Sequence, residues 1–455
     1  MRLVTPEIVI DPDEPFKNDL LNRQPFAESL TSLVTNVEDN LVISLDAQWG
    51  DGKTTFVKMW QACLGNNEIE SIYFDAFAND YFDDPFVALV GNITSLLEKV
   101  HPKKAKLDEL KKKATKVGVQ LLSLGARVGI KAATLGVLKD ADIDKLKSVA
   151  GDIASGTSDL ASKVIEEKLN AYKEDVDAME EFKAKLSELA QEAFNEKHRP
   201  LVFIVDELDR CRPSYALELI EKIKHLFFVN HIVFVLVIHT EQLEESIKYV
   251  YGPKIEASTY LQKFINIKCK LPKDNKNELD SDYKKYCDVL SGLHELDTGD
   301  DPRNLQRLLE SLARGMRLSL RDLQRCYTNL VLFYSATPTN RYRNDWIVGL
   351  LGILKVKKPG LFEALKRRTI SFKELWNELD LDQFVVVEED SHRISKLKIF
   401  LRTFLLSDAE FELLGEESQE QKIWSGTGLR FDLDRTGTLP YHCDQMESFK
   451  SPGGN

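Results

Sequence analysis

The chain has 455 residues, a net charge of −12, 43% hydrophobic and 29% charged residues. That is an ordinary globular composition, sufficient for two or three domains. Its acidity argues against wholesale nucleic-acid binding and leaves open only a local basic patch. Cysteines at 63, 211, 269, 287, 326 and 443 form no C-x-x-C pair, and His442-Cys443 has no matching second pair. A zinc site is therefore not expected, and the thiols suit a reducing cytoplasm. The opening MRLVTPEIVIDPDEPF carries no apolar leader core, so a secretory signal is not expected.

Apolar residues at helical spacing over 17–37 predict a helix leading into a strand at 41–45, LVISL. A Gly-rich turn, AQWGDGKTT at 47–55, follows and opens a second helix. Ser71 to Phe74 reads as a strand ending at Asp75, and 84–100 as a helix with Asp84 as N-cap and Pro85 in its first turn. The stretch 101–198 interrupts this alternation. It starts basic (HPKKAKLDELKKKATK), ends acidic and helical, and has no proline between Pro102 and Pro200, so long helices are allowed. Its lysine run reads as a solvated face. The apolar segment 117–138 is long enough to span a bilayer, but Arg127 and Lys131 sit near its middle. No integral span is expected at that cost. A hairpin packed on the core or a partner, or a membrane-surface or partner-docking helix, are the readings that remain.

Beyond the interruption, LVFIV at 201–205 reads as a buried strand carrying Asp206-Glu207 at its end. IVFVLVIHT at 232–240 and FINIKCKLP at 264–272 read as further strands, the latter stopped by Pro272. Two helices follow over 301–336, with Ser319 as N-cap of the second. Residues 341–405 carry mixed helical patterns. From about 408 the chain is acidic, then rich in Gly, Thr and Ser, and SPGGN at its end reads as disordered.

Two segments carry chemistry. AQWGDGKTT matches the phosphate loop G-x-x-x-x-G-K-[ST], with Ala47 at the first glycine. The backbone of Ala47, Gln48, Trp49, Gly50, Asp51 and Gly52, with the positive end of the next helix, cradles a polyphosphate in such a loop. Lys53 then reaches the β and γ phosphates, Thr54 holds Mg²⁺, and Thr55 is a further nucleotide-binding candidate. At the end of the 201–205 strand, Asp206 is suited to holding Mg²⁺ through water and Glu207 to deprotonating an attacking water. A strand-helix unit lies between the two segments, and a glutamate follows the Mg²⁺ aspartate. That order resembles the additional-strand catalytic-glutamate division of P-loop NTPases. The fold class expected is therefore α/β: a parallel sheet with a helical insertion and a C-terminal helical lid. No NKxD motif is apparent, which favours ATP over GTP.

Several segments together resemble the KAP family of P-loop NTPases: A-x-W-G-D-G-K-T with Trp49 before Gly50, DELDRCR from Asp206 followed by Pro213, IVFVLVIHTEQLEESIKYVYG, YLQKFINIKCKLP, and SLRDLQR in the lid. The resemblance covers roughly 10–335. FDAFAND at 74–80 carries Phe77 where the family often has Trp. His239-Thr240 replaces an acidic residue at the end of the strand after Asp206; Thr240 or His239 senses the γ-phosphate, or Thr240 caps the next helix. Many members carry transmembrane helices at the position of the insertion, which here is too charged.

The resemblance implies a Mg²⁺-dependent ATPase acting as a conformational motor or switch. Bacterial members include components of phage-exclusion and phage-defence systems. The expected organisation is an NTPase core over 1–100 and 199–274, an insertion over 101–198, a lid over 275–340, and a C-terminal region over 341–455 with a flexible tail. We expect a cytoplasmic homo-oligomer that binds other proteins of a defence complex. Nucleic acid is not indicated as a partner. A neighbouring subunit is expected to supply an arginine to the transition state, with Arg210 or Arg212 as the candidates, while Arg321 or Arg325 in the lid serves as a sensor in cis. Asp209 is placed to fix Arg210. A slow-turnover ATP-gated scaffold and a nucleic-acid-remodelling ATPase are the rival functions.

Overall fold

The computed structural model describes residue 6 and residues 8–37, 39–81, 84–100, 104–133, 158–194, 199–273, 281–296, 302–383 and 388–447. The chain divides into two compact units. One comprises Pro25–Ala47 and Val57–Leu271, the other Met1–Gln24, Gln48–Phe56 and Pro272–Asn455.

The first unit is built on a parallel sheet. Its described strands are β1 (Leu41–Asp46), β2 (Ser71–Asp75), β3 (Leu201–Asp206), β4 (Ile232–Ile238) and β5 (Ile267–Lys270), in the order β2-β3-β4-β1-β5. The runs LVFIVD and IVFVLVI are buried along their whole length, as central parallel strands covered on both faces must be. β4 lies between β1 and β3, the additional-strand order expected from the sequence. The parallel registers Asp75↔Asp206 and Asp46↔Ile238 place the carboxyl ends of these strands on one edge. Ligands of open α/β sheets bind at that edge.

Helix α1 (Gln24–Asn36) precedes β1, and α2 (Lys53–Asn66) follows it. The Trp60 indole donates to Thr31 Oγ1 at 3.0 Å, tying these two helices together. The helix predicted over 17–37 is shorter at its start. The Asp19 carboxylate accepts the amides of Leu21, Arg23 and Gln24, an Asx-type turn that competes with helical bonding. After β2 come α3 (Ala76–Asn79), capped by the Asp75 carboxylate on the Ala78 amide, and α4 (Pro85–Val100). As predicted, Asp84 accepts the Phe86 amide at 2.7 Å.

The insertion is a pair of long helices, α5 (Lys104–Ala133) and α6 (Ser158–Phe194). Leu107, Leu110, Ala114 and Val117 of α5 and Phe182, Leu186 and Leu189 of α6 belong to the same buried cluster as Phe203 and Phe234 of the sheet. The hairpin stem thus packs on the core. Phe182 meets Phe86 edge-on at 5.5 Å and Phe227 at 5.6 Å. Three lysines of the run are paired: Lys106 contacts Glu188 at 2.7 Å and also Glu192, Lys113 contacts Glu181 at 3.1 Å, and Lys111 meets Glu98. Such exposed pairs contribute only about 0.2–1 kcal/mol each, but they set the partner helix. No described helix is long and apolar enough to cross a membrane. Residues 134–138 of the apolar segment lie outside the described residues. The unit continues with α7 (Pro213–Lys222), α8 (Thr240–Tyr251) and α9 (Ala257–Leu261).

The second unit is helical. It contains α10 (Asp282–His294), α11 (Pro302–Gly315), α12 (Leu320–Ala336), α13 (Asp345–Lys357), α14 (Pro359–Lys366), α15 (Phe372–Leu379) and α16 (Glu388–Leu405). Three more helices follow: α17 (Asp408–Glu412), α18 (Gln419–Phe431) and α19 (Thr438–Glu447). Ser319 caps α12 in a full capping box with Asp322. The chain is not divided at 340. Leu305, Leu330, Leu351, Leu401, Leu439 and Met446 share one buried cluster. The Gly-, Thr- and Ser-rich stretch after 408 forms helices, with Ser407 and Ser418 capping α17 and α18. Arg435 also bonds the carbonyls of Thr403 and Leu406 at 3.0 and 2.7 Å. The terminal SPGGN lies outside the described residues.

His442 is wholly buried on α19, with Nδ1 2.7 Å from the Thr438 carbonyl and its ring stacked on Phe333. Burial pulls its pKa down to about 4. A folded-state value below the unfolded one means that the unfolded chain takes up the proton first. Stability is then full above the unfolded value near 6.5 and falls as pH drops toward 4. The cost is on the order of 3 kcal/mol, from 1.36 kcal/mol per unit. Urea melts of wild type and His442→Leu between pH 7.5 and 4 test this. The variant should lose that part of the slope, and an unchanged slope contradicts it.

Candidate nucleotide site

The phosphate loop belongs to the helical unit, and its shape is set there. Gly50 and Gly52 sit at φ +88° and +81°, the left-handed region that glycine adopts without steric cost. Between them Asp51 is buried, its carboxylate accepting the Gln48 amide at 3.1 Å and pairing with Lys273 Nζ at 2.6 Å. The Arg23 guanidinium donates to the Asp51 carbonyl at 2.9 Å. Burial lowers the Arg23 pKa, opposed by the nearby Asp282, Asp51 and Asp19. On the other side, the Arg321 amide donates to the Gly50 carbonyl at 3.3 Å. A Cβ at Gly50 would lie 2.7 Å from both Arg321 Cβ and Ser319 Oγ.

Helix α2 opens at Lys53, with Phe56 N–H bonded to the Gly52 carbonyl at 3.0 Å. Lys53 is buried and its Nζ stands 3.4 Å from the Gln48 carbonyl. Thr54 and Thr55 lie in the first turn, and Trp49 is exposed. Two left-handed glycines, a helix start, a buried ammonium and threonine hydroxyls form a donor set that fits a polyphosphate and its Mg²⁺. Arg321 and Arg325 are exposed, one helical turn apart on α12.

The acidic residues belong to the sheet unit. Asp206 is buried at the end of β3 and accepts the Tyr73 hydroxyl at 3.0 Å and the Glu207 amide at 2.8 Å. Burial and the Asp206 charge hold the Tyr73 phenol protonated. Glu207 follows in a left-handed conformation, φ 62°, and pairs with Arg210 Nε. Burial raises the Glu207 pKa despite the lowering effect of Arg210, and Asp206, Asp209 and Asp75 add to the rise. Asp209 itself is buried. Arg212 is braced on Asp80: its amide and Nε each donate to that carboxylate at 2.8 Å. Both candidate finger arginines are therefore engaged within their own chain.

At the end of β4, the N-cap of α8 is His239, not Thr240, and the His239 side chain makes no capping bond. The Thr240 amide is instead bonded at 2.8 Å to the carboxylate of Asp46, the last residue of β1. Sequence reasoning missed Asp46, Tyr73, Arg23 and Lys273. Only Asp46, one residue before the loop, carried a local signal.

The positive φ and close packing at Gly50 give a test. Gly50→Ala should lose about tenfold or more in ATP affinity, because a left-handed Ala alone costs about 1–2 kcal/mol and its methyl strikes α12. A titration showing wild-type affinity contradicts this placement.

The model of the KAP family P-loop domain matches residues 23–337, from Arg23 to the end of α12. A Methanocaldococcus jannaschii protein described only as uncharacterized is 30% identical over 173 residues, 36% of this chain and 87% of its own length. The solved structure of the Aeropyrum pernix ORC2 protein, in ADPNP–ADP complexes, aligns at a TM-score of 0.33 and 13% identity, over 97% of this chain and 96% of that one. With the family match spanning the phosphate loop, the acidic strand end and α12, this chain belongs to the KAP family of P-loop NTPases.

Proposed function

We propose that the protein is a Mg²⁺-dependent ATPase whose turnover drives a conformational switch in a multi-protein assembly, with antiviral (phage) defence as its setting. The observation that carries the hydrolytic part is Glu207, directly after the buried Asp206 at the carboxyl edge of β3. The defence setting and the cytoplasmic location rest on the family resemblance drawn from the sequence.

Bound Mg²⁺ offsets phosphate charge during transfer. Thr54 would hold it directly and Asp206 through water. Lys53 and the loop amides bind the β and γ phosphates of ATP, and Thr240 is the candidate γ-phosphate sensor. Glu207 accepts the proton of a water as its oxygen bonds to the γ-phosphorus and the bond to ADP breaks. For that, Glu207 must leave Arg210, its present partner. Arg321, whose amide bonds Gly50, acts in cis, and Arg210 or Arg212 of a neighbouring copy completes the charge. A slow-turnover gated scaffold is the second reading, favoured by the same Glu207–Arg210 pair. The lysine run offers no support for a nucleic-acid motor, because Lys106, Lys111 and Lys113 are paired with glutamates.

Glu207→Gln should keep ATP affinity and lose about 10²–10⁴-fold in phosphate release, since the amide cannot take the proton. Turnover at the wild-type rate contradicts the assignment. Mixing Glu207→Gln chains with Arg210→Ala or Arg212→Ala chains should restore activity that neither shows alone. No recovery at any ratio, with specific activity independent of concentration, contradicts an arginine supplied in trans.

A further inference from the structure

The helical unit holds a cavity of about 720 Å³ formed by α10, α11, α13 and α16. Its described lining sets Lys284, Arg303, Arg307, Arg393 and Lys396 against the carboxylates of Asp288 and Glu310, in a chain whose net charge is −12. Both carboxylates are already engaged. The Gln306 amide donates to Asp288 and, at 3.1 Å, to Glu310 Oε1. Glu310 is buried, and burial pushes its carboxyl above the usual range. Arg393 bonds Asp390 at 3.3 Å and Ser311 at 3.2 Å, and Arg314 also holds Asp390 at 2.6 Å. These bonds fix that side of the cavity. Arg307 and Lys396 have no carboxylate within ion-pair distance among the described residues. Lys396 instead lies 4.9 Å above the ring of Trp346, which forms an apolar wall.

Cations from three helices converge on one concave site, and of these Arg307 and Lys396 are the ones without a carboxylate at ion-pair distance among the described residues. A concave, partly apolar site of a few hundred Å³ with convergent charges suits a small ligand. Guanidinium forks and ammonium groups bind phosphate through charge-assisted hydrogen bonds. From this geometry we infer that the cavity between α10, α11 and α16 is a second anion site, which takes a small molecule bearing two or more phosphates. Long nucleic acid is disfavoured because a chain of net charge −12 repels an extended polyanion. The site is independent of the phosphate loop and of the ATPase reading.

The test uses full-length Lys53→Ala protein, so that the phosphate loop does not contribute. Inorganic tripolyphosphate is titrated at low salt by calorimetry, with ADP and a single-stranded 20-nucleotide DNA as parallel arms. One saturable tripolyphosphate site is expected. Arg307→Gln combined with Lys396→Gln should weaken it about tenfold or more, the equivalent of about 1.4 kcal/mol. Circular dichroism melting checks that the double variant folds. If it does not, Arg307→Gln alone should still weaken binding about threefold or more. Trp346→Phe should abolish any ligand-induced fluorescence change while the heat remains. ADP bound with the same dependence on Arg307 and Lys396 identifies a nucleotide as one source of the phosphates. Tripolyphosphate alone identifies a free polyphosphate, and either result supports the proposal. No saturable heat, equal affinity in the variants, or DNA binding that depends on these residues where tripolyphosphate does not would overturn it.

Discussion

A carboxylate inside a phosphate-binding turn must be neutralised before a polyphosphate can approach, and Asp51 is such a carboxylate. Lys273 supplies the charge at 2.6 Å and the Gln48 amide a hydrogen bond at 3.1 Å. Arg23 fixes the neighbouring carbonyl. Asp51 is buried while Lys273 is partly exposed, so the turn is tied through its one buried carboxylate to a residue far away in sequence. Gly50 adds a steric constraint, because its missing side chain is where Ser319 and Arg321 pack. The capped start of α12 and the phosphate loop therefore cannot move independently. The same helix α12 contributes Leu323, Leu330 and Phe333 to the buried cluster of the helical unit.

The sheet unit shows the complementary arrangement. Its central strands are apolar throughout, and polar groups gather where the strands end. Asp75 caps α3, Asp46 meets the first amide of α8, and Asp206 is held by Tyr73. Each carboxylate has a partner, which is the condition for burying it. Glu207 differs in kind. It stands in a left-handed backbone conformation, its burial favours the protonated form, and its partner Arg210 is only three residues away.

Much of this was legible in the sequence because it is local. The AQWGDGKTT turn, the LVFIVDE strand end, the Asp84 and Ser319 caps and the β-α alternation each lie within a few residues. The departures arise where local pattern competes with a local bond or depends on a distant one. Asp19 diverts the chain from helix until Gln24 although the apolar spacing begins at 17. Thr240 has the composition of an N-cap, but Asp46, nearly two hundred residues earlier, takes its amide. Lys106 and Lys113 lie on an exposed face as the sequence suggests, and their glutamate partners on α6 have no local signal. The stretch after 408 carries no strong apolar periodicity, and serine caps and Arg435 accompany its helices. The Asp51–Lys273 pair has no local signature at all, and the loop depends on it most.

The account stands on polyphosphate binding by this turn through Lys53. Thermal melting of wild type and Lys53→Ala across a series of Mg-ATP concentrations measures that directly. Binding to the folded state should raise the wild-type melting temperature with concentration, by about 2.7 kcal/mol of added stability at a hundredfold excess over Kd. Lys53→Ala, folded but without the cation directed at the phosphates, should show no shift. Equal shifts in the two proteins would contradict the account.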